Sequence, residues 1–412
     1  MAANICEVLA ERGLIHQCTD AAMPERMATP RTVYIGFDPT ADSLHVGSLL
    51  PLMVLAHVQR CGHKPLVPVG GATGLVGDPS GKTETRKLLT REDVAANVAG
   101  LKAQIGRFLR FGSGPADAEM LDNADWLAPL GWIELLREVG PHFSVNRMLT
   151  MDSVKNRMAA GDGISFIEFN YMVMQAYDFA HLARTRACSI QAGGQDQWGN
   201  IVMGIELARR RDGADLAGLT FPLVTKADGT KFGKSESGAV WLDAKRTPVH
   251  DFFQFWRNAD DRDVAKFLGW FTFLPMDEVR ALTTGGGAAL NAAKERLAWE
   301  VTAIVHGREA ADRCQADARA AFGSGDLGGD SIPHGDLPAG DLAIGVGILV
   351  LGRQAGMWAS NGEGRRLVQG GGVRLNDETV DDPSRSVTSA DVRDGRVILR
   401  VGKKKVFRFD VR

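Results

Sequence analysis

The sequence contains little that would anchor the chain in a membrane or cross-link it. Its five cysteines are scattered and none forms a Cys-x-x-Cys pair, which argues against a disulfide framework and a zinc knuckle. The longest apolar run, residues 342–351, is about half as long as a membrane span requires. Charged residues interrupt the N-terminal segment, so no signal peptide is predicted. These absences favour a cytoplasmic chain without a membrane partner.

The sequence also lacks a strong overall charge. Its 48 Lys+Arg and 50 Asp+Glu leave a formal net charge of −2, so any RNA binding must depend on local patches, and no DNA partner is expected. Basic residues exceed acidic ones only beyond residue 341. What is present is an ordinary globular composition over 412 residues, a length that suggests two or three domains.

Strand-like and helix-like segments alternate in the first half of the chain. Apolar residues predict strands over 33–37, 66–69 and 189–192, and helices over 44–59 and 198–211. This alternation predicts an α/β fold with a doubly wound, parallel, Rossmann-like sheet, in which ligands bind beyond the carboxyl ends of the strands. Pro51 lacks a backbone donor and is expected to disturb the first turns of the helix over 44–59.

Beyond Thr247 the pattern becomes purely helical, and a stretch rich in glycine, aspartate and proline follows it. We therefore predict four segments: a Rossmann-like catalytic domain over 1–247, an all-α domain over 248–321, a linker over 322–341 and a small α+β domain over 342–412.

The segment 38–48 leaves the first predicted strand and opens a helix. Unpaired backbone N–H groups at a helix N-terminus favour phosphate. Gly47 allows a nucleotide to approach the backbone closely, and His45 can donate a hydrogen bond to a phosphate oxygen. A single histidine at a helix start is more often a surface or capping residue, so the residues alone leave both interpretations open.

A glycine-rich turn follows the second predicted strand, over residues 70–83. It is not a P-loop, because Val76 and not glycine stands six residues before Lys82. The turn instead brings Asp78, and then Lys82 and Arg86, to the edge of the crevice. A solvated loop with incidental charges is the alternative.

Polar residues recur at helical spacing in Tyr171-x-x-x-Gln175-x-x-Asp178. Spacings of four and three place the three side chains on one helix face, and the residues between them are apolar, so the polar groups need partners inside the protein. They either pair with one another or line a pocket for a small zwitterion with a polar tip.

Two further segments are candidates for nucleotide contact. The double-glycine turn over 191–200 permits close ligand approach, while Asp196 and Gln197 can bind hydroxyl, carboxylate or amine groups. The loop over 226–235 contains three lysines, which could close over a triphosphate, although a solvated hairpin is an equally simple interpretation.

Taken together and in this order, these segments resemble class I aminoacyl-tRNA synthetases, and most closely the bacterial tyrosyl-tRNA synthetases. His45-Val46-Gly47-Ser48 resembles the "HIGH" motif, with serine in place of the second histidine. Lys231-Phe232-Gly233-Lys234-Ser235 resembles the "KMSKS" loop. Residues 34–40, 77–81 and 193–200 fit the tyrosyl pattern, and residues 360–376 resemble the small RNA-binding module shared with a ribosomal protein.

The resemblance implies a role for each matching residue. Tyr34 and Asp178 would bind the tyrosine hydroxyl, Asp78, Tyr171 and Gln175 its ammonium group, and Gln197 its carbonyl. Gly36, Asp38, Gly47, Ser48, Gly194 and Asp196 would contact the adenylate, and His45, Thr40, Lys82, Arg86, Lys231, Lys234 and Ser235 would serve the phosphates.

The chemistry that the resemblance implies needs no general base, because the carboxylate of an amino acid is already ionised at neutral pH. ATP would arrive with Mg²⁺, and no metal site built from protein ligands is expected. The implied partners are L-tyrosine, ATP, tRNA(Tyr) and a second copy of the chain, which would meet it through residues 163–166. The helical domain would bind the anticodon.

Two alternatives remain at the level of sequence. A tryptophanyl-tRNA synthetase shares the architecture, but Tyr34 and Asp178 favour a substrate hydroxyl over an indole N–H. An RNA-binding protein that has lost catalysis would have no physical need for His45, Asp78 and Lys234 together.

Overall fold

The computed structural model describes residues 4–80, 89–161, 163–227, 232–235, 238–323, 333–402 and 405–412. The chain packs as two compact units. The first comprises residues 1–248 and 255–305, and the second comprises residues 249–254 and 306–412.

The first unit contains eight strands among its described residues, and they form one large sheet and one hairpin. The strands are β1 (Gln17–Cys18), β2 (Thr32–Tyr34), β3 (Lys64–Val69), β4 (Glu119–Asp122), β5 (Cys188–Gly194), β6 (Ala217–Phe221), β7 (Lys234–Ser235) and β8 (Gly238–Ala239).

The same part of the chain also contains α-helices. They are α1 (Ile5–Glu11), α2 (Met23–Arg26), α3 (Leu49–Arg60), α4 (Thr73–Val76), α5 (Arg91–Ile105), α6 (Ala124–Leu127), α7 (Trp132–Glu134), α8 (Val145–Leu149), α9 (Asp152–Ala160), α10 (Phe166–Arg186), α11 (Trp198–Asp212), α12 (Val249–Arg257), α13 (Val264–Phe271), α14 (Met276–Thr283) and α15 (Ala288–His306), with α12 contributing residues to both units.

The large sheet has the order β1-β6-β5-β2-β3-β4, and every neighbouring pair except β1–β6 is parallel. From β2 the chain proceeds outward through β3 and β4, and it later returns to lay β5 and β6 on the other side of β2. The point where the strand order reverses therefore lies between β2 and β5. In open α/β sheets, ligands bind in the crevice outside the carboxyl ends of the strands at such a point.

The predicted parallel α/β sheet is confirmed, and two details of its first crossover differ from expectation. The predicted strand over 33–37 ends at Tyr34, and only Phe37 returns to the sheet as an isolated bridge to Val69. The predicted helix over 44–59 begins as a 3₁₀ turn, Val46–Ser48, and becomes α-helical at Leu49. Pro51 is the third residue of α3, where the backbone N–H lacks an intrahelical partner in any case, so the helix continues to Arg60.

Helix α10 is the longest element beside the site, and its start is well defined. Ser165 accepts from the backbone N–H of Glu168, and the Glu168 carboxylate accepts from that of Ser165, which forms a capping box. The buried face of α10 packs against α11 and β5 over a core that includes Phe179, Met203 and Leu207.

The second unit contains helices α16 (Arg308–Gly323), α17 (Ala339–Ile344), α18 (Ile348–Gln354) and α19 (Asn361–Gln369). Its strands β9 (His334–Leu337), β11 (Val373–Leu375), β12 (Glu378–Val380), β14 (Arg396–Val401) and β15 (Lys405–Val411) form a sheet of order β12-β11-β14-β15-β9, while β10 (Val346–Gly347) pairs with β13 (Ser386–Val387). Trp358, Val373 and Leu399 belong to a buried core of its own. The expected small α+β unit is therefore present.

Candidate functional site

Polar side chains converge at the carboxyl edge of the parallel sheet, on both sides of the switch point. Tyr34 ends β2, and the loop that follows it contains Asp38. Asp78 lies in the turn beyond β3, Asn123 directly follows β4, and Asp196 follows β5. Four of these five residues were predicted from the sequence to be site residues, and the parallel topology brings them to one edge.

The predicted polar stripe of α10 faces this crevice. Tyr171, Gln175 and Asp178 are all buried, as their spacing requires. The Tyr171 hydroxyl donates to Asp38 Oδ2 at 2.8 Å, and Gln175 Oε1 accepts from Asn200 Nδ2 at 3.0 Å. The stripe therefore forms hydrogen bonds with other segments around the crevice, as buried polar side chains require.

Asp178 accepts hydrogen bonds from two residues around α6 that the sequence analysis missed. Asn123 Nδ2 donates to one carboxylate oxygen at 3.0 Å, and Trp126 Nε1 donates to the other at 2.7 Å. The pKa of Asp178 is raised to about 7, because burial and the charge of Asp38 outweigh the opposing effect of these two hydrogen bonds. Asp178 is thus a carboxylate that is held close to its point of protonation at neutral pH.

Tyr34 lies beside this carboxylate at the end of β2 and is almost fully buried. Burial raises the pKa of its phenol well above the usual value, and the charges of Asp178 and Asp38 raise it further. The hydroxyl therefore stays protonated and can both donate and accept. Gly36 lies against the phenol ring, because a Cβ at that position would sit 3.1 Å from the Tyr34 hydroxyl oxygen.

Asp38 joins the two sides of the crevice. Its Oδ1 accepts from the Thr73 hydroxyl at 2.8 Å, and its Oδ2 accepts from Tyr171. Gly70 packs directly against the same carboxylate and leaves no room for a side chain. The glycine at the start of the turn over 70–83 is thus required by close packing on Asp38.

A second pair of carboxylates, Asp78 and Asp196, faces the crevice and is linked by one amide. Gln197 Nε2 donates to Asp78 Oδ2 at 2.7 Å and approaches Asp196 Oδ2 at 3.4 Å. Burial raises the pKa of Asp196, and the neighbouring charge of Asp78 raises it further. Two such carboxylates favour a bound cation or hydroxyl donors. Gly194 packs against Asp196 and, like Gly36, permits close approach to the strand end.

His45 caps the 3₁₀ turn that opens α3. Its Nδ1 accepts from the Gly47 N–H at 3.0 Å, which places the proton of the neutral ring on Nε2. The ring is exposed and meets Trp241 edge-on at 6.1 Å between centroids. His45 can therefore cap the turn and also donate to a phosphate oxygen, because it caps through Nδ1 and donates through Nε2.

The segment around His45 is paired with the segment that follows the lysine-containing loop. Val46 N donates to Val240 O at 3.0 Å, Leu242 N donates to Leu44 O at 2.8 Å, and Val240 N donates to Gly233 O at 3.0 Å. The two motifs that resemble "HIGH" and "KMSKS" are thus neighbours in the fold. This adjacency could not be derived from their separation in the sequence.

The remaining predicted residues fall into two groups. Thr40 is exposed and its N–H donates to Asp38 O at 2.9 Å, and Ser48 lies in the 3₁₀ turn with no side-chain cap bond. Lys82, Arg86 and Lys231, and the side chains of Lys234 and Ser235, lie outside the described residues.

Phe232 marks where the lysine-containing loop is fixed to the fold. Its ring contacts four aromatic rings with centroids 5.1 to 5.7 Å away and is almost parallel to Phe271. At the start of the loop, the Ala227 N–H donates to Asp263 Oδ2 at 2.9 Å, and Lys266 Nζ donates to Thr225 O at 2.9 Å. The loop is therefore held at its base by Asp263 and by Lys266 of α13, and at Phe232 by an aromatic cluster.

One more polar residue of the crevice was missed. Gln191, in β5 beside Tyr34, is 1% exposed, and its Oε1 has no hydrogen-bond partner among the described residues. A buried amide oxygen without a partner is costly, which suggests that a ligand contacts it. An isolated glutamine in a strand gives no sequence pattern by which this could have been found.

The structure adds two observations on metals and membranes. Among the residues that it describes, no group of three or more His, Cys, Asp or Glu side chains is placed to hold a metal ion. Within the same ranges, no helix has the length and apolar character needed to cross a membrane.

The chain is similar to known proteins over almost its whole length. Residues 26–323 match the family model described as tRNA synthetases class I (W and Y), and residues 348–392 match the S4 domain. The tyrosine–tRNA ligase of Novosphingobium aromaticivorans is 52% identical, with 98% of this chain and 97% of that protein covered, and that of Rhizobium meliloti is 50% identical with the same coverage.

Among solved structures, a C-terminally truncated mitochondrial tyrosyl-tRNA synthetase from Aspergillus nidulans has 32% sequence identity and a TM-score of 0.69, and the match covers 77% of this chain and 94% of that one. The crevice lined by Tyr34, Asp38, Asp78 and Asp178 lies within the part of the chain that this family model covers. The chain belongs to the class I tRNA synthetases of the tryptophan and tyrosine group.

Proposed function

We propose that the crevice is the tyrosine- and ATP-binding site of a tyrosine–tRNA ligase. The enzyme activates L-tyrosine with ATP to give tyrosyl-adenylate and pyrophosphate, and then transfers the tyrosyl group to the 3′-terminal adenosine of tRNA(Tyr). The observation that supports tyrosine over tryptophan most strongly is the buried Asp178, which is held by Asn123 and Trp126 beside the Tyr34 hydroxyl.

Tyr34 and Asp178 select the hydroxyl of tyrosine in this proposal. The ionised Asp178 accepts from the substrate hydroxyl, and Tyr34 adds a second polar contact. Phenylalanine would leave both groups buried and unpaired, at a cost of about 1–3 kcal/mol for each. An indole would offer one N–H to the same two groups and would leave one of them without a partner.

The acidic side of the crevice holds the α-ammonium group. Asp78, with Tyr171 and Gln175, provides a negative charge and two polar side chains on adjoining segments. Gln197 donates to Asp78 and therefore lies beside the proposed ammonium site. From this position its amide would also contact the tyrosyl carbonyl. The site would select a zwitterion, because a carboxylate binds the ammonium group and a neighbouring amide donates to the carboxyl end of the amino acid.

Activation of tyrosine needs positioning and positive charge more than acid–base chemistry. The tyrosine carboxylate attacks the α-phosphate of ATP in line with the departing pyrophosphate. We assign the phosphate contacts to Nε2–H of His45, to Thr40 and to the basic residues Lys82, Arg86, Lys231 and Lys234, with Ser235 beside them. The adenylate contacts are assigned to Gly36, Asp38, Gly47, Ser48, Gly194 and Asp196.

A magnesium ion that arrives with ATP would neutralise charge on the departing pyrophosphate. The carboxylates of the crevice accept hydrogen bonds from protein side chains, and the described residues contain no group of three or more potential metal ligands, so we propose that the metal is held mainly by the nucleotide and water.

For tRNA we propose that the helical segment over 248–321 and the C-terminal segment over 342–412 provide the binding surface, with 1–247 as the catalytic domain. The predicted linker 322–341 is shorter than expected, because β9 (His334–Leu337) pairs with β15 and α17 begins at Ala339. The match to the S4 domain and the basic excess beyond residue 341 support the C-terminal part of this proposal. The chain would work in the cytoplasm, where tRNA is charged.

A homodimer is also proposed, through the segment 163–166 and its surroundings. Phe166 is 70% exposed, Ile133 is 66% exposed and Trp132 is 53% exposed, and the rings of Trp132 and Phe166 meet at 6.3 Å between centroids. Ile167, Leu136 and Met158 are exposed nearby in the sequence. Large apolar side chains concentrated in this way are typical of an interaction surface.

Amino-acid-dependent exchange of pyrophosphate into ATP tests the proposal, followed by charging of tRNA(Tyr) with labelled tyrosine. Exchange with tyrosine followed by charging is expected. Exchange that depends on tryptophan would contradict the proposed role of Asp178, and exchange without charging would contradict the tRNA assignment.

A further inference from the structure

Behind the carboxylate that selects the hydroxyl, the structure shows a second layer of contact. The indole of Trp126 donates to Asp178 through Nε1, and its ring face lies on the imidazole of His181, with centroids 4.7 Å apart and planes inclined by 11°. His181 follows Asp178 by three residues on α10, so both contacts of the indole come from one helix face.

The indole is oriented by tertiary contacts, namely these two and its packing against the apolar core beside α10, because its own element holds it weakly. Helix α6 has four residues, none of them buried, and Asn123 makes no side-chain cap bond at its start. A helix this short is not stable by itself. The direction of the Trp126 N–H is therefore set by what the ring packs against, and a parallel ring stack fixes both the tilt and the distance of the indole.

His181 is itself held in place from several sides. The ring of Tyr177 lies 6.3 Å from it at 27°, the Arg211 guanidinium lies 5.5 Å above Tyr177, and the Thr185 hydroxyl donates to the His181 carbonyl at 2.8 Å. Burial lowers the pKa of His181, and the charges of Arg184, Arg186 and Arg211 lower it further. At neutral pH the ring is an uncharged, flat surface.

We propose that His181 is a positioning residue for hydroxyl selection: its ring orients the Trp126 indole so that Nε1–H stays on Asp178, and thereby holds Asp178 as the acceptor for the tyrosine hydroxyl. This inference rests on the proposed function. It predicts that the stacking surface of residue 181 matters, and that its capacity for hydrogen bonding or protonation does not.

The test compares His181→Ala, His181→Phe and the control His16→Ala, an exposed histidine beside β1, in the full-length enzyme. The first measurement is the ratio of kcat/KM for tyrosine to that for phenylalanine in pyrophosphate exchange. His181→Ala is expected to lower this ratio about three- to tenfold, which is the fold-change that corresponds to the free energy of one aromatic contact. His181→Phe and His16→Ala should keep the wild-type ratio, and the KM for ATP should be unchanged in all three.

A second measurement is the acid limb of kcat/KM for tyrosine. The groups that face Asp178 are Asn123 and Trp126 at α6, Tyr34 at the end of β2 and Asp38 in the following loop. If the indole loses its orientation, Asp178 loses a donor, so the limb should move to higher pH in His181→Ala and stay in place in His181→Phe.

Two results would overturn the inference while leaving the proposed function intact: an unchanged tyrosine/phenylalanine ratio in His181→Ala, or an equal loss in His181→Ala and His181→Phe. A wild-type enzyme that shows no exchange with tyrosine would instead contradict the proposed function on which the inference rests.

Discussion

At Asp178, burial and hydrogen bonding act in opposite directions. Burial raises its pKa, Asn123 and Trp126 lower it by donating to its two oxygens, and the net value is about 7. A carboxylate in this balance is a strong acceptor when ionised and a weaker one when protonated. Selection of the hydroxyl should therefore depend on pH in a range where an ordinary aspartate would not titrate.

We predict that kcat/KM for tyrosine falls below pH 7, by up to about tenfold per pH unit, because protonated Asp178 no longer accepts a charge-assisted bond. In Asp178→Asn this limb should be absent, and discrimination against phenylalanine should fall about 10- to 100-fold. A pH profile of pyrophosphate exchange for both enzymes measures this. A limb that persists unchanged in Asp178→Asn would assign the titration to another group.

The same pKa shift has a consequence for stability. The pKa of Asp178 in the folded state is raised above 3.8, the ordinary value of an aspartate, which also applies in the unfolded chain. The contribution of Asp178 to stability is therefore fully present below pH 3.8 and is lost as the pH rises through about 7. The wild type should accordingly lose stability relative to Asp178→Asn as the pH rises from about 4 to about 7, and the difference should level off above pH 7, in thermal unfolding at fixed protein concentration.

At the scale of elements, the start of α10 depends on a buried ion pair. Arg157 of α9 lies 3.4 Å from Glu168, both side chains are at most 5% exposed, and Arg157 Nε also donates to Gly163 O at 3.1 Å. Burial opposes ionisation of Glu168, but hydrogen bonds from Ser165 and the charge of Arg157 keep its pKa below the usual value. The pair thus fixes the segment that leads into the helix containing Tyr171, Gln175 and Asp178.

Arg157→Met is expected to lower the free energy of unfolding by about 3–5 kcal/mol, because it leaves a buried carboxylate without its partner. Arg209→Met is the matched control: it removes an exposed arginine that pairs with Glu206 at 2.9 Å, and it should cost no more than about 1 kcal/mol. Urea denaturation of both variants at one protein concentration measures the difference. Equal effects would show that the pair at Arg157 behaves like a surface pair.

The sequence predicted those elements whose pattern is local. The spacing of Tyr171, Gln175 and Asp178 placed three polar groups on one face, and the structure shows a helix there with all three buried. Residues that are joined only by tertiary contact were missed. Asn123 precedes α6, Trp126 lies on it and His181 lies on α10, and α6 is too short to give a periodic signal. Gln191 was missed because the sequence of a strand does not indicate which buried side chain lacks a hydrogen-bond partner.

Pro51 shows that the effect of a proline depends on where its helix begins. The sequence alone placed it inside a helix beginning at residue 44, where it would remove a backbone bond. The 3₁₀ turn at Val46–Ser48 moves the start of α3 to Leu49, and at the third position of a helix the missing donor costs no intrahelical bond. Helix starts depend on capping geometry, which hydrophobic periodicity does not report.

At the scale of the whole molecule, the exposed aromatic pair Trp132 and Phe166 leads to a prediction about assembly. Sedimentation at micromolar concentration should give twice the chain mass, because rings that are 53% and 70% exposed are covered when two copies meet. Phe166→Glu should shift the equilibrium toward monomer, since the interface would then contain a buried charge. Val350→Glu, at a 49% exposed position of the second unit, is the control and should leave the mass unchanged. A wild-type monomer under these conditions would contradict the proposed dimer.

The central claim, a pocket that selects the hydroxyl of tyrosine on the fold of a class I tRNA synthetase, is tested most directly by ATP–pyrophosphate exchange with tyrosine, phenylalanine and tryptophan compared side by side. The two buried groups Tyr34 and Asp178 predict exchange with tyrosine and weaker exchange with phenylalanine by a factor of at least about one hundred. Efficient exchange with tryptophan, or equal exchange with tyrosine and phenylalanine, would contradict it.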